Sequence, residues 1–190
     1  MKLVKILSAV MVATTMGATV TVVSPEVIAN AKAQKSLKAY PKSLRRTWYH
    51  YEKNDKGQLR YSTLKFTATR TTDKWNGYMA TKTETSKNVL HQYNPAKKFN
   101  KGKLNWNVAY KSGSSTLFGL WGDSKADMVR SQAIDRYKVV TTTYKGKKIK
   151  VLHATFLPSA PLNTMYYYTS KKLAKQTNPK GYNYGNNYGY

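Results

Sequence analysis

The chain contains no cysteine. No disulfide can staple it, so its stability must come from an apolar core and a hydrogen-bonded sheet. Histidine is almost as scarce. His50, His91 and His153 show neither His-x-His nor His-Glu-x-x-His spacing, so they mark no metal site and read as structural residues. Acidic residues number 8 against 33 Lys and Arg. They are scattered, with Asp123 and Asp127 as the closest helical pair and Asp73 and Glu84 isolated. A glycosidase needs two carboxyl groups set across a cleft, and nothing marks such a pair. The scattered acids read as partners for the excess Lys and Arg.

Gly122-Asp123-Ser124 follows the apolar Leu117-Phe118-Gly119-Leu120-Trp121 and invites comparison with the first block of GDS-type esterases. Those enzymes need a late Asp-x-x-His for the base, and the chain has none. A serine hydroxyl without its base is a poor nucleophile. A glycine turn leading to a serine helix cap accounts for the triplet. The sequence therefore assigns no catalytic residue, no metal ligand and no cofactor site, and the expected protein is not an enzyme, with a cell-wall-active enzyme as the remote alternative.

Long apolar runs are limited to one. Lys2 and Lys5 precede an uncharged stretch over 6–23, Pro25 breaks it, and Ala29-Asn30-Ala31 and Ala31-Lys32-Ala33 offer small-residue cleavage patterns. This is the grammar of a secretory signal peptide over 1–33. With the signal removed, no transmembrane segment is expected. Neither a lipid-anchoring cysteine nor a Leu-Pro-x-Thr-Gly pattern occurs. A secreted protein that does without disulfides points to a Gram-positive producer.

What the chain has in excess is positive charge, +25 overall and +24 once Lys2, Lys5 and Glu26 leave with a signal cut after Ala31. Solubility does not need so much charge, and its self-repulsion opposes the compact state. It implies a polyanionic partner. The mature chain, about 160 residues, is enough for one domain with one core.

The rest of the chain is written in strands. Thr47 to Glu52 is aromatic and β-branched, Asn54-Asp55-Lys56-Gly57 suits a reversal, and Leu64, Phe66 and Ala68 alternate with polar residues. Residues 75–83 and 89–93 read as further strands. In 104–110, Leu104, Trp106, Val108 and Tyr110 share one face, with Asn105, Asn107 and Ala109 on the other. The run 116–121 suits a strand buried on both faces. Residues 136–144 and 148–156 form a hairpin around Lys145-Gly146-Lys147, and 165–169 is the last strand. A helix is expected over 124–133 behind a Ser124/Asp127 capping box, and a helical turn over 171–175. These elements predict an all-β fold, an antiparallel up-and-down barrel of about eight strands with at most one short helix. A two-sheet β-sandwich is the alternative. The barrel is expected over 43–177, with a flexible basic leader over 34–42. The low-complexity Tyr/Asn/Gly stretch 178–190 is expected to be disordered.

Pro41-Lys42-Ser43-Leu44-Arg45-Arg46-Thr47-Trp48-Tyr49 resembles the opening of small secreted proteins of lactobacilli, in which Pro-Lys-x-x-Arg-Gly-x-Trp-Tyr leads into a lipocalin-like β-barrel. The hairpin Tyr137-Lys138-Val139-Val140 … Tyr144-Lys145-Gly146-Lys147-Lys148 is similar to that group as well. Arg46 stands where the group carries Gly. The resemblance implies an extracellular location and a barrel whose floor Trp48 closes.

Aromatic rings recur between cations, at Trp48-Tyr49, Lys74-Trp75 and Tyr144-Lys145. Flat rings with Lys and Arg suit sugars, bases and phosphates. An exported protein first meets anionic cell-wall polymer, teichoic acid among it. The residues expected to carry such binding are Arg45, Arg46, Lys97, Lys98, Lys101, Lys103, Lys145, Lys147, Lys148, Lys150, Lys171 and Lys172. Lysine point charges favour diffuse, salt-sensitive adhesion over sequence readout. The alternative partner is a small apolar ligand in a cavity lined by Trp48, Phe66, Trp106 and Val108.

Overall fold

In the computed structural model of the protein, the described residues are 36–77, 82–94, 98, 103–122, 135–156 and 164–182. Nine strands close into one barrel in chain order: β1 (Thr47–Lys53), β2 (Leu59–Phe66), β3 (Arg70–Trp75), β4 (Glu84–Leu90), β5 (Trp106–Ser112), β6 (Ser115–Leu120), β7 (Asp135–Tyr144), β8 (Lys147–Phe156) and β9 (Thr164–Tyr168). Helix α1 (Lys171–Thr177) follows. The sheet is continuous, so the sandwich alternative is set aside. The helix expected over 124–133 lies outside the described residues.

Eight of the nine pairings are antiparallel. β4 and β5 are parallel, joined at Val89↔Trp106 and Leu90↔Asn107. The expected up-and-down meander is therefore interrupted once. Val89 N–H donates to Asn105 O and His91 N–H to Asn107 O, both at 2.8 Å, the slanted pattern of a parallel ladder. A connection over 91–105 separates the two strands, and parallel neighbours require such a crossover in place of a tight turn.

Turn chemistry explains most boundaries. Lys145 (φ 48°) and Gly146 (φ 74°) both take positive φ, the geometry that matches the twist of a two-residue hairpin. Asn54 Oδ1 accepts the Lys56 and Gln58 N–H groups at 3.1 and 2.9 Å, closing the β1–β2 loop. β3 ends at Trp75 and does not begin there. Asn76 donates its backbone N–H to Ser62 Oγ and its side-chain amide to Tyr61 O, both at 2.8 Å, which turns the chain off the ladder. β4 correspondingly starts at Glu84, and Ala68 lies in the exposed β2–β3 turn.

The main core holds Trp48, Leu64, Phe66, Leu90, Ala109, Phe118, Tyr137, Leu152, Ala154, Met165 and Tyr167, with Tyr40 and Leu44. The leader expected to be flexible is thus part of the domain. Leu37 N–H donates to Ala109 O (2.7 Å) and Tyr40 N–H to Ala68 O (2.8 Å). The Tyr40 ring meets Phe66 edge-on at 5.2 Å and stacks on Phe118 at 6.2 Å. Trp48 Nε1–H donates to Leu44 O at 2.9 Å. Residues 36–46 and Trp48 together form the barrel floor.

Helix α1 packs Ala174 on the outside of the barrel against Tyr51, Val151 and Tyr168, and Ser170 Oγ caps it by accepting Leu173 N–H at 3.2 Å. The expected disordered tail starts too early by five residues' worth of order: Asn178–Tyr182 is docked, while 183–190 lie outside the described residues. β1 and β9 pair only at Tyr49↔Tyr168, which leaves the second half of β1 in need of partners. Asn178 Nδ2 donates to Tyr51 O at 2.7 Å, and Lys53 N–H donates to Gly181 O at 2.9 Å. Asn178→Ala leaves a buried carbonyl unpaired and is expected to cost about 1–3 kcal/mol, read as a lower urea midpoint.

Candidate functional site

Lys145, Lys147, Lys148 and Lys150 are all exposed on the β7–β8 hairpin. The Tyr144 hydroxyl donates to Gln176 O at 3.0 Å, tying the hairpin tip to the last turn of α1. That bond brings Lys171, Lys172 and Lys175, also exposed, beside the hairpin lysines. Lys175 was not among the sequence candidates, since only docking of the helix shows its neighbours. Lys171 Nζ lies 5.4 Å over the Tyr61 ring and Lys145 Nζ 5.5 Å over Tyr144, so cations and rings alternate on this surface.

Arg45 and Arg46 enter at the start of β1. Register places that point near the end of β9 and the lower part of β8, through Tyr49↔Tyr168 and Val151↔Tyr168. Arg45 Nε donates to Tyr40 O at 2.7 Å, and the Arg46 guanidinium sits 5.5 Å from the Trp48 ring centroid. The hairpin, helix and arginines thus share one end of the barrel. Among the described residues, no carboxylate lies within 4.0 Å of their charged groups. Lys98 and Lys103 are exposed but flank the approach to β5, across the ring from β9. Lys97 and Lys101 lie outside the described residues.

The four residues expected to line an apolar cavity do not come together. Trp48 and Phe66 belong to the main core. Val108 packs with Tyr93, Tyr110 and Leu117 in a separate cluster, and Trp106 stacks on His91 at 3.5 Å. The alternation over 104–110 was legible, but the inner face is the one carrying Asn107 and Ala109. Both faces of β5 are buried, so apolarity alone could not choose between them.

The barrel interior holds what the sequence left unassigned. Trp48, His50 and Glu52 alternate on the inner face of β1, all 0 % exposed. His50 Nδ1 lies 2.8 Å from Tyr166 O and so carries the proton there. In the neutral ring, Nε2 then presents a lone pair to Glu52 Oε2 at 3.7 Å. Burial drives both groups towards neutrality, lowering His50 to about 4 and raising Glu52 to about 7. Asp73 on β3 and Asp135 on β7 are also pushed up to about 6, chiefly by burial, and the charge of Asp135 adds to the rise at Asp73. The Tyr137 hydroxyl donates to Asp135 Oδ2 at 3.1 Å. Gly77 closes over this region so tightly that a Cβ there would overlap the Glu52 carboxylate. Three of the few acids of a strongly basic chain are thus spent inside the barrel. The parity of Glu52 with Trp48 was the available signal.

No family model matches the chain, and neither a curated protein nor a solved structure matches it.

Proposed function

We propose that the protein is a secreted, non-enzymatic basic β-barrel that adheres to anionic polymers of the producing cell's envelope, with teichoic acid as the representative partner. The observation that carries this reading is the gathering of Lys145–Lys150, α1 and the arginines at one barrel end with no carboxylate within 4.0 Å among the described residues. Each phosphate neutralised releases a counterion, so many weak lysine contacts add to a strongly salt-dependent affinity. The alternative, a small apolar ligand, has less support, because Trp48 and Phe66 are packed by Tyr40 and Leu44 and the interior also holds the buried His50, Glu52 and Asn107.

The test is co-sedimentation with purified cell walls, with and without teichoic acid, across a salt series. Binding is expected to need the teichoic acid and to fall at least about tenfold between low and physiological salt. Reversing Lys145, Lys147 and Lys148 to Glu removes it, while Lys103→Glu changes it little. Triple-variant protein that sediments like the parent in low salt would overturn the reading.

A further inference from the structure

We propose that the part of the barrel interior lined by Glu52, Asp73, Asp135 and Asn107 is a binding site for a small organic cation bearing one or more ammonium groups.

The first observation is a deficit of donors. Glu52 Oε1 and Oε2, Asp73 Oδ1 and Asp135 Oδ1 are buried oxygens without a hydrogen-bond partner. Ser62 lies beside Glu52, but its hydroxyl has one proton to give and cannot serve both carboxyl oxygens. Buried polar atoms are satisfied in the great majority of cases, and four acceptors in one region call for an occupant rich in N–H groups.

The second observation is independent of the acids. Asn107 on β5 is 0 % exposed, and neither its Oδ1 nor its Nδ2 is hydrogen-bonded. It points inward, since Ala109 two residues on belongs to the main core while Val108 and Tyr110 pack outside it. The Tyr40 hydroxyl lies beside Asn107 and Thr71 without completing a bond of good geometry. Thr71 and Asp73 are successive inward residues of β3, so the Tyr40–Asn107 group and the Asp73 carboxyl follow one another along the same inner wall.

The spacing selects the class of cation. Among the described residues, no three His, Asp or Glu side chains converge enough to hold a metal ion. Charges that feel one another but do not converge suit donors spread along an alkyl chain. Tyr137 and Tyr167 share the interior with Asp135, and aromatic rings near a carboxyl attract ammonium groups and pack against methylenes. The outer lysines oppose entry only weakly, because charges beyond a Debye length of about 8 Å are largely screened.

The test is isothermal titration calorimetry of the mature chain near neutral pH with cadaverine, and with pentanediol as its uncharged counterpart. Cadaverine is expected to bind one to one in the millimolar range or tighter, and pentanediol not at all. The groups facing the site are His50, Glu52, Asp73, Asp135, Tyr40 and Tyr137. Seating a cation among the three carboxyl groups releases protons, so the observed heat follows the ionisation enthalpy of the buffer. The double variant Asp73→Asn, Asp135→Asn removes like-charge repulsion and is expected to melt no lower than the parent, yet to bind cadaverine at least about tenfold more weakly. No binding of cadaverine by the parent, equal binding of pentanediol, or undiminished binding by the folded double variant would each overturn the proposal.

Discussion

Trp48→Ala is expected to lower the stability of the barrel by about 3–5 kcal/mol, the range for deleting a large buried aromatic. The indole is 0 % exposed and belongs to the main core. Its Nε1–H satisfies Leu44 O, and the Arg46 guanidinium lies over its ring. Alanine would leave a cavity at the floor, an unpaired Leu44 carbonyl and a leader with less to pack on. A domain has only about 5–15 kcal/mol in hand, so the variant should lie near the unfolding threshold at ambient temperature. Trp48→Phe keeps much of the ring and loses the hydrogen bond, and should cost about 1–3 kcal/mol. Urea denaturation of the three proteins measures both. A loss below about 1 kcal/mol for the alanine variant would mean that Trp48 does not hold the floor.

Stability is expected to fall as pH rises from about 5 to about 8, by an amount on the order of a few kcal/mol. Glu52 is raised from 4.5 to about 7, and Asp73 and Asp135 from 3.8 to about 6. A carboxyl group with a raised folded value binds its proton more tightly in the native state. Its contribution is complete below the unfolded value and is lost as pH climbs through the folded one. His50, lowered from 6.5 to about 4, acts the other way: the native state is short of a proton between those values, so that term rises with pH up to about 6.5. Three carboxyl groups outnumber one imidazole, and above pH 6.5 Glu52 still titrates with no opposing change. The net slope is therefore downward. Glu52→Gln, which cannot ionise, should flatten the upper part of the profile. Urea midpoints that instead climb steadily across this window would show that the interior carboxyl groups are ionised and paired in the native state.

The interior carboxyl groups also mark where reading the sequence stops. Hairpins were legible because their causes are local. The Asn54–Gly57 loop and the Lys145-Gly146 turn carry residues suited to reversal, and the aromatic, β-branched run over 47–52 and the alternation at Leu64 and Phe66 mark the strands on either side of the first. Strand ends moved where a distant group took over the ladder, as Asn76 does by bonding Tyr61 and Ser62. The docked leader and Asn178–Tyr182 segment were illegible for a related reason. Polar, low-complexity stretches cannot build a core, but they can satisfy one that already exists, as Asn178 does for Tyr51 O.

An all-β barrel of many short strands, the absence of disulfides and the large positive charge could all be read from the chain's order of residues, because period-two patterning, turn residues and composition are properties of neighbours and sums. Which face of β5 turns inward, the parallel run of β4 and β5, the lysines that share an end, and the inward placing of Glu52, Asp73 and Asp135 came from the folded ring alone. Those outcomes depend on how strands far apart in the chain are registered around the closed ring. Alternation labels two faces of a strand, and closure of the barrel chooses between them.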